Sequence, residues 1–383
     1  MKILYHHRIA SKDGQYVHIE ELTNALKGLG HEIILVGPST VEKESFGSEG
    51  GIVPLLKRFV PGFAYELMEL GYSLVAYLKL RRAVLKYKPD WFYERYSLYL
   101  PAGAWIRKQF NLPMLLEINA PLFEERGKYD GLALPSLAKW SEEYAWKSAD
   151  IVLPVTKVLA SRVREAGVPE NRITVIPNGI DGKKFSKVPD SERAKESLGL
   201  AGRLVLGFTG FMRDWHGLEH VVDIVARNRE KNCHLLLVGE GPARAGIEER
   251  ARIMGVADHV TITGVVARDR IADYVSAFDV ALQPDVVDYA SPLKLFEYLA
   301  LGRAIVAPDR PNIREVLENG KNSLLFDPAV PGALTESVER LCVDTELRYS
   351  LGEAARSTIE EKGFTWENNA RRVETLFQKL TMN

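Results

Sequence analysis

The chain has 383 residues and a mass of 43.0 kDa, with 46% hydrophobic and 26% charged residues, a composition that predicts a water-soluble protein of two domains. A net charge of -1 and a pI near 6.7 argue against a general nucleic-acid binder. Only two cysteines occur, Cys233 and Cys342, so neither a disulfide framework nor a zinc cluster is expected, and a reducing cytoplasm fits.

In chain order, MKILYHH reads as a buried first strand, without the long apolar run of a signal peptide. His18 to Leu29 repeats apolar residues at Ile19, Leu22, Leu26 and Leu29, which predicts a helix against a sheet, and His31 to Val36 reads as a second strand. Gly14, in the loop between first strand and helix, would let a ligand approach the backbone. No G-x-G-x-x-G or Walker pattern is present, so nicotinamide and ATP sites are unsupported. Residues 39–62 read as irregular loop, followed by a long helix, FAYELMELGYSLVAYLKLRRAVLKYK. Its charges exclude a membrane span, but residues 51–100 hold 8 basic and 4 acidic side chains, which suits either an ordinary solvated basic face or contact with an anionic surface. WFYER, Ala102 to Phe110 and MLLEI then predict strand, helix and strand, with a loop starting at Asn119.

Alternation continues through IVLPVT, a helix carrying Leu159, Val163 and Ala166, and ITVIP as a further strand. The turn NGID, Asn178 to Asp181, and the polar stretch to Arg193 mark a domain boundary. A second series follows: LVLGFTG, a helix from Gly217, HLLLVGEGP, a helix to Met254, VTITG, a helix to Phe278, and VALQP. Apolar strands separated by helices predict parallel sheets, hence an α/β protein of two doubly wound, Rossmann-like domains facing across a cleft. The expected limits are 1–179 for the first domain, joined by a C-terminal helix over 366–383, and 180–365 for the second.

The richest stretch is DYASPLKLFEYLALGRAIVAPD. Ser291 is a natural N-cap and Pro292 suits the first helical position, so a helix is expected from here to Leu301, ended by Gly302. Its free amides, with Lys294 one turn in, form a plausible seat for a phosphate or diphosphate. Glu297, three residues on, is expected to face the same pocket and hold a ribose or sugar hydroxyl; the plain alternative is a capped surface helix with an internal Lys and Glu pair.

Four segments, GQYVHIEELTNALKGLGHEI, VIPNGID, LLLVGEGPARAGIEERA with VTITGVV, and SPLKLFEYLALGRAIVAPDRPNIREVLENGKNSLLF, together resemble the family-four retaining glycosyltransferases of the GT-B fold. The resemblance implies transfer of a sugar from a nucleoside-diphosphate sugar to a hydroxyl acceptor, in polysaccharide or glycolipid synthesis, with no cofactor and no metal. It implies a donor site formed by Gly14 from the first domain with Arg213, His216, Glu240, Val265, Val266, Tyr289, Ser291, Pro292 and Leu293 from the second. Lys294 and Glu297 would do the chemistry, and Asn119 would position a sugar hydroxyl where the family often has a histidine. Of the family's two donor-site glutamates, the second corresponds to Glu297 while the first falls on Tyr289. Where the family presents an arginine and a lysine to the diphosphate, this chain has Phe211 and His216, with Arg213 as the substitute cation. Arg213 could instead pair with Asp214, and the side chains of Val265 and Val266 alone would read as core. His18, Arg95 and Glu117 are further cleft candidates, as is Glu94. The alternatives are a nucleotide-sugar epimerase on the same fold and a non-catalytic nucleotide-sugar-binding subunit. The expected partners are the nucleotide-sugar donor, a sugar or lipid-linked acceptor and an anionic membrane surface, with the protein cytoplasmic and peripheral at the inner membrane face.

Overall fold

A computed structural model of the protein describes residues 1–10, 14–38, 60–185 and 190–382. Most of the expected 39–62 loop, and part of the polar stretch after NGID, lie outside these described residues. Chain packing defines two units, one of Met1–Pro177, Tyr289–Ser291 and Trp366–Asn383, the other of Asn178–Asp288 and Pro292–Thr365.

The first unit is built on a parallel sheet of β1 (Lys2–His6), β2 (Glu32–Val36), β3 (Trp91–Arg95), β4 (Met114–Ile118) and β5 (Ile151–Pro154), in the order β2-β1-β3-β4-β5. Every residue of β3 and β4 is buried, as expected of strands covered on both faces, and Arg95 stands opposite Glu117 in their register. The order reverses at β1, so polar side chains at the carboxyl ends of β1, β3 and β4 gather at a switch point. Helix Gly14–Gly28 packs against the C-terminal helix Trp366–Met382, whose Phe377 ring stacks on Trp91 at 4.5 Å between centroids.

Two sequence expectations change here. ITVIP is not a strand: Ile173 makes one bridge to Val152, the amides of Thr174 and Ile176 donate to Val152 and Pro154, and Pro177 has no amide to extend the ladder. The loop expected after Asn119 instead contains helices Leu122–Tyr129 and Pro135–Ser148.

The second unit holds a six-stranded parallel sheet of β6 (Leu204–Thr209), β7 (Cys233–Val238), β8 (Val260–Ile262), β9 (Val280–Leu282), β10 (Ala304–Pro308) and β11 (Leu324–Phe326), in the order β11-β10-β9-β6-β7-β8. The chain leaves β6 toward β8, then returns to β6's other side with β9, so the switch point lies at the carboxyl end of β6. The helix Leu293–Ala300 is anchored there by its buried face of Leu295, Phe296, Tyr298 and Leu299, and the Tyr298 hydroxyl accepts from the Thr209 amide at 2.9 Å.

Candidate functional site

In the second unit, the loops that follow β6 and β7 run side by side. The amides of Gly210 and Met212 donate to Val238 and Glu240, each at 2.9 Å. Gly239 has φ +148, and a Cβ there would lie 2.1 Å from the Gly210 carbonyl oxygen, so the glycine of GEGP is required by backbone approach. This contact presents the Gly210 to His216 segment at the end of β6.

Helix Leu293–Ala300 begins one residue later than expected. Pro292, not Ser291, occupies the cap position with extended φ/ψ, and no side chain caps the helix. Ser291 is buried and packs with the first unit, so its hydroxyl is not the anion-facing cap that the spacing suggested. Pro292 and Leu293 are half-buried at the helix start, and Ala300 is its last residue, with Gly302 at φ 63 beyond the turn.

Lys294 is the second residue of the helix and is half-buried, its Nζ 3.6 Å from the centroid of the Phe208 ring. No ion pair or hydrogen bond to it is formed among the described residues. Burial pulls its pKa down to about 7, with Glu297 opposing the shift only in part. A bound anion would hold it fully charged at and above pH 7.

His216 packs against Phe208, and Lys294 and Arg213 both act on it. The His216 ring meets Phe208 edge-on at 5.0 Å, and its Nδ1 accepts from the Arg213 amide at 3.1 Å, leaving Nε2 to carry the proton. Burial, then the charges of Lys294 and Arg213, lower its pKa to about 3, so His216 is a neutral N–H donor and adds no charge. Arg213 does not pair with Asp214: its guanidinium lies 4.9 Å from the ring centroids of both Phe211 and Trp215. The sequence showed these aromatic residues but not that they would grip the cation.

Glu297 is buried, yet it does not pair with Lys294. Its Oε1 accepts from Arg268 Nη1 at 2.7 Å, a partner 29 residues away that the sequence reading missed. That pair ties the segment carrying Val265 and Val266 to the Lys294 helix. Val265 is exposed rather than core, because the chain after β8 turns outward, and Val266 is half-buried. Glu240 accepts from Arg244 at 2.7 Å on a partly exposed surface.

Tyr289 packs within the first unit, donating its hydroxyl to Glu125 at 2.6 Å, with the Arg162 guanidinium 5.3 Å from its ring and Thr156 donating to its carbonyl. Glu125 therefore occupies its polar tip. Gly14 opens the first helix and is exposed.

The first unit has its own polar centre on Glu117. This buried carboxylate accepts from Tyr93 and Arg95 at 2.6 Å and from Asn119 at 2.5 Å, and lies 2.8 Å from His18 Nε2. Burial would raise its pKa, but the His18 and Arg95 partners outweigh it and hold the carboxyl far below its ordinary range. His18, Glu117, Tyr93 and Trp366 line a cavity in this unit with room for about one water. Glu94 is occupied separately, 2.5 Å from His6 Nδ1.

Comparison with known proteins follows this division. Residues 12–184 match the model of Glycosyltransferase Family 4, and residues 203–344 match that of Glycosyl transferases group 1. Alpha-D-kanosaminyltransferase of Streptomyces kanamyceticus is 26% identical over 57% of this chain, and the chain spans 58% of that relative's length. D-inositol 3-phosphate glycosyltransferase 2 of Catenulispora acidiphila is 24% identical over 96% of this chain and 90% of its own. Among solved structures, sucrose-phosphate synthase from Thermosynechococcus elongatus has a TM-score of 0.80 at 19% identity, covering 100% of this chain and 99% of its own. The Anabaena protein HepE, in complex with UDP and glucose, has a TM-score of 0.72 at 17% identity, covering 99% and 100%. These likenesses show the GT-B fold.

Proposed function

Because the chain belongs to the glycosyltransferases, with its two halves matching the family-four and group-1 models, we propose that it is a retaining hexosyltransferase using a nucleoside-diphosphate sugar. The observation that carries this reading is the unpaired Lys294 ammonium at the carboxyl end of β6, with His216 under the charge of both Lys294 and Arg213. A diphosphate seated there would meet two cations and the His216 N–H, and its charge would keep Lys294 protonated.

In the reaction, the bond between the anomeric carbon and the diphosphate oxygen breaks as the acceptor oxygen bonds to that carbon from the same face. The acceptor's proton leaves to the departing diphosphate. Lys294 and Arg213 stabilise the charge that builds on the leaving group, which is where fixed donors contribute most. Glu297, oriented through Oε1 by Arg268, offers Oε2 to a ribose or sugar hydroxyl, and the backbone at Val265 and Val266 faces the nucleobase. Asn119, held by Glu117, is a positioning residue for a sugar hydroxyl rather than a proton carrier. The UDP and glucose carried by the Anabaena neighbour make UDP-glucose the first donor to test. We assign the acceptor to a growing polysaccharide or glycolipid at the inner membrane face, on the basic balance of the long first-unit helix.

The test is nucleotide release from a panel of donors, with and without acceptor, and the anomeric configuration of the product by NMR. Acceptor-dependent release with retained configuration supports the reading. Inverted product removes the retaining assignment, interconverted sugar means an epimerase, and tight binding without turnover means a binding subunit.

A further inference from the structure

Helix Gly62–Tyr87 presents two apolar faces, one buried and one exposed. Ser73, Ala76, Leu80, Ala83 and Val84 are buried against the first unit. Phe63, Leu67, Leu74, Leu78 and Leu85 are each at least half exposed, Leu74 at 61%. At about 100° per residue these five fall in one stripe about 60° wide, an apolar ridge along the helix with Arg81 at its edge. Exposed Met68 and Val75 widen it on one side.

The charges are sorted as well. The helix has only two acidic residues, and both turn inward. Glu66 accepts from the amides of Ala133 and Leu134 and from the Tyr99 hydroxyl, each at 2.8 Å. Glu69 accepts from Arg126 at 2.5 Å and from Arg8 at 3.3 Å. The exposed side is left with Lys79, Arg81, Arg82 and Lys86 and no helix carboxylate to offset them. A second copy of the chain on this ridge would set these cations against their equivalents. No described helix is long and apolar enough to cross a membrane, so the ridge suits an interface rather than a span.

We propose that this face docks the protein on an anionic phospholipid bilayer, with the helix lying in the interface plane, its leucine ridge among the acyl chains and its four cations among the headgroups. This supplies the membrane partner of the reading above, but it rests on the helix alone, so turnover of a soluble donor is an independent control.

The experiment is flotation of the full chain with vesicles of phosphatidylcholine alone or mixed with phosphatidylglycerol, at low and high salt. Two variants accompany wild type: Leu74→Ser/Leu78→Ser, and Lys79→Gln/Arg81→Gln/Arg82→Gln/Lys86→Gln. All substituted side chains are exposed, so both variants should keep the wild-type melting temperature and soluble turnover. Wild type should float with the anionic vesicles, less at high salt, and each variant should partition at least about tenfold more weakly. Absence of wild-type flotation at low salt overturns the proposal, as does undiminished flotation of either variant. A wild-type dimer that Leu74→Ser/Leu78→Ser makes monomeric overturns it in favour of contact between copies. None of these results would touch the donor-site reading, which fails only if soluble donors are not turned over.

Discussion

Lys294 places its ammonium 3.6 Å from the centre of the Phe208 ring, where the apolar floor formed by the end of β6 strips water from a charge that no carboxylate is bonded to. Burial holds its pKa near 7, so at neutral pH this cation is poised to lose its proton.

Donor binding should therefore be linked to proton uptake. As pH rises above 7 the free protein must take up a proton on Lys294 to bind a nucleoside diphosphate, and affinity falls. Calorimetric titration with UDP in buffers of different ionisation enthalpy would measure this uptake. A pH-independent affinity from 6 to about 9 would remove Lys294 from the diphosphate seat.

Lys294→Met should separate function from stability. It keeps the length of the side chain while removing a buried charge, so turnover should drop at least about tenfold while the melting temperature rises. Loss of activity with a lower melting temperature would instead make Lys294 a structural residue.

Glu297→Gln should raise donor KM about tenfold, because a neutral amide accepts hydroxyl hydrogen bonds less well and loses its ion pair to Arg268. Arg268→Met, which leaves Glu297 charged but unrestrained, should raise KM less. Equal effects on both would mean that Glu297 acts only through the ion pair.

Glu117→Gln should destabilise the first unit by about 3 kcal/mol, since it leaves buried Arg95 facing no carboxylate. The pH sign follows from a folded pKa held far below the ordinary 4.5: Glu117 contributes its stability above about pH 4.5 and loses it as pH falls below that value toward the folded pKa. Urea unfolding of wild type from pH 6 to 3 should show a steeper loss than the variant; parallel curves would count against Glu117.

Much of the architecture was legible because strand burial leaves a local trace. The apolar runs at Trp91, Met114, Leu204 and Cys233 could be covered only on both faces, and the alternation with helices called for parallel sheets. Helices Leu122–Tyr129 and Pro135–Ser148 escaped notice because the first buries no residue fully and the second starts after Gly131 without a side-chain cap. The candidate site was legible only in part. Lys294 and Glu297 could be placed on one short helix, but which charge neutralises which could not be read from their spacing.

The sequence by itself determined the two alternating series and the residue types of an anion seat, since periodicity and residue type are written within a few residues. Tertiary structure alone decided the partners: Arg268 for Glu297, Glu125 for Tyr289, and His18 with Arg95 for Glu117. The physical reason is that burial of an apolar face is set by local period, whereas the pairing of a buried charge depends on which distant side chain the folded backbone carries within about 3 Å of it.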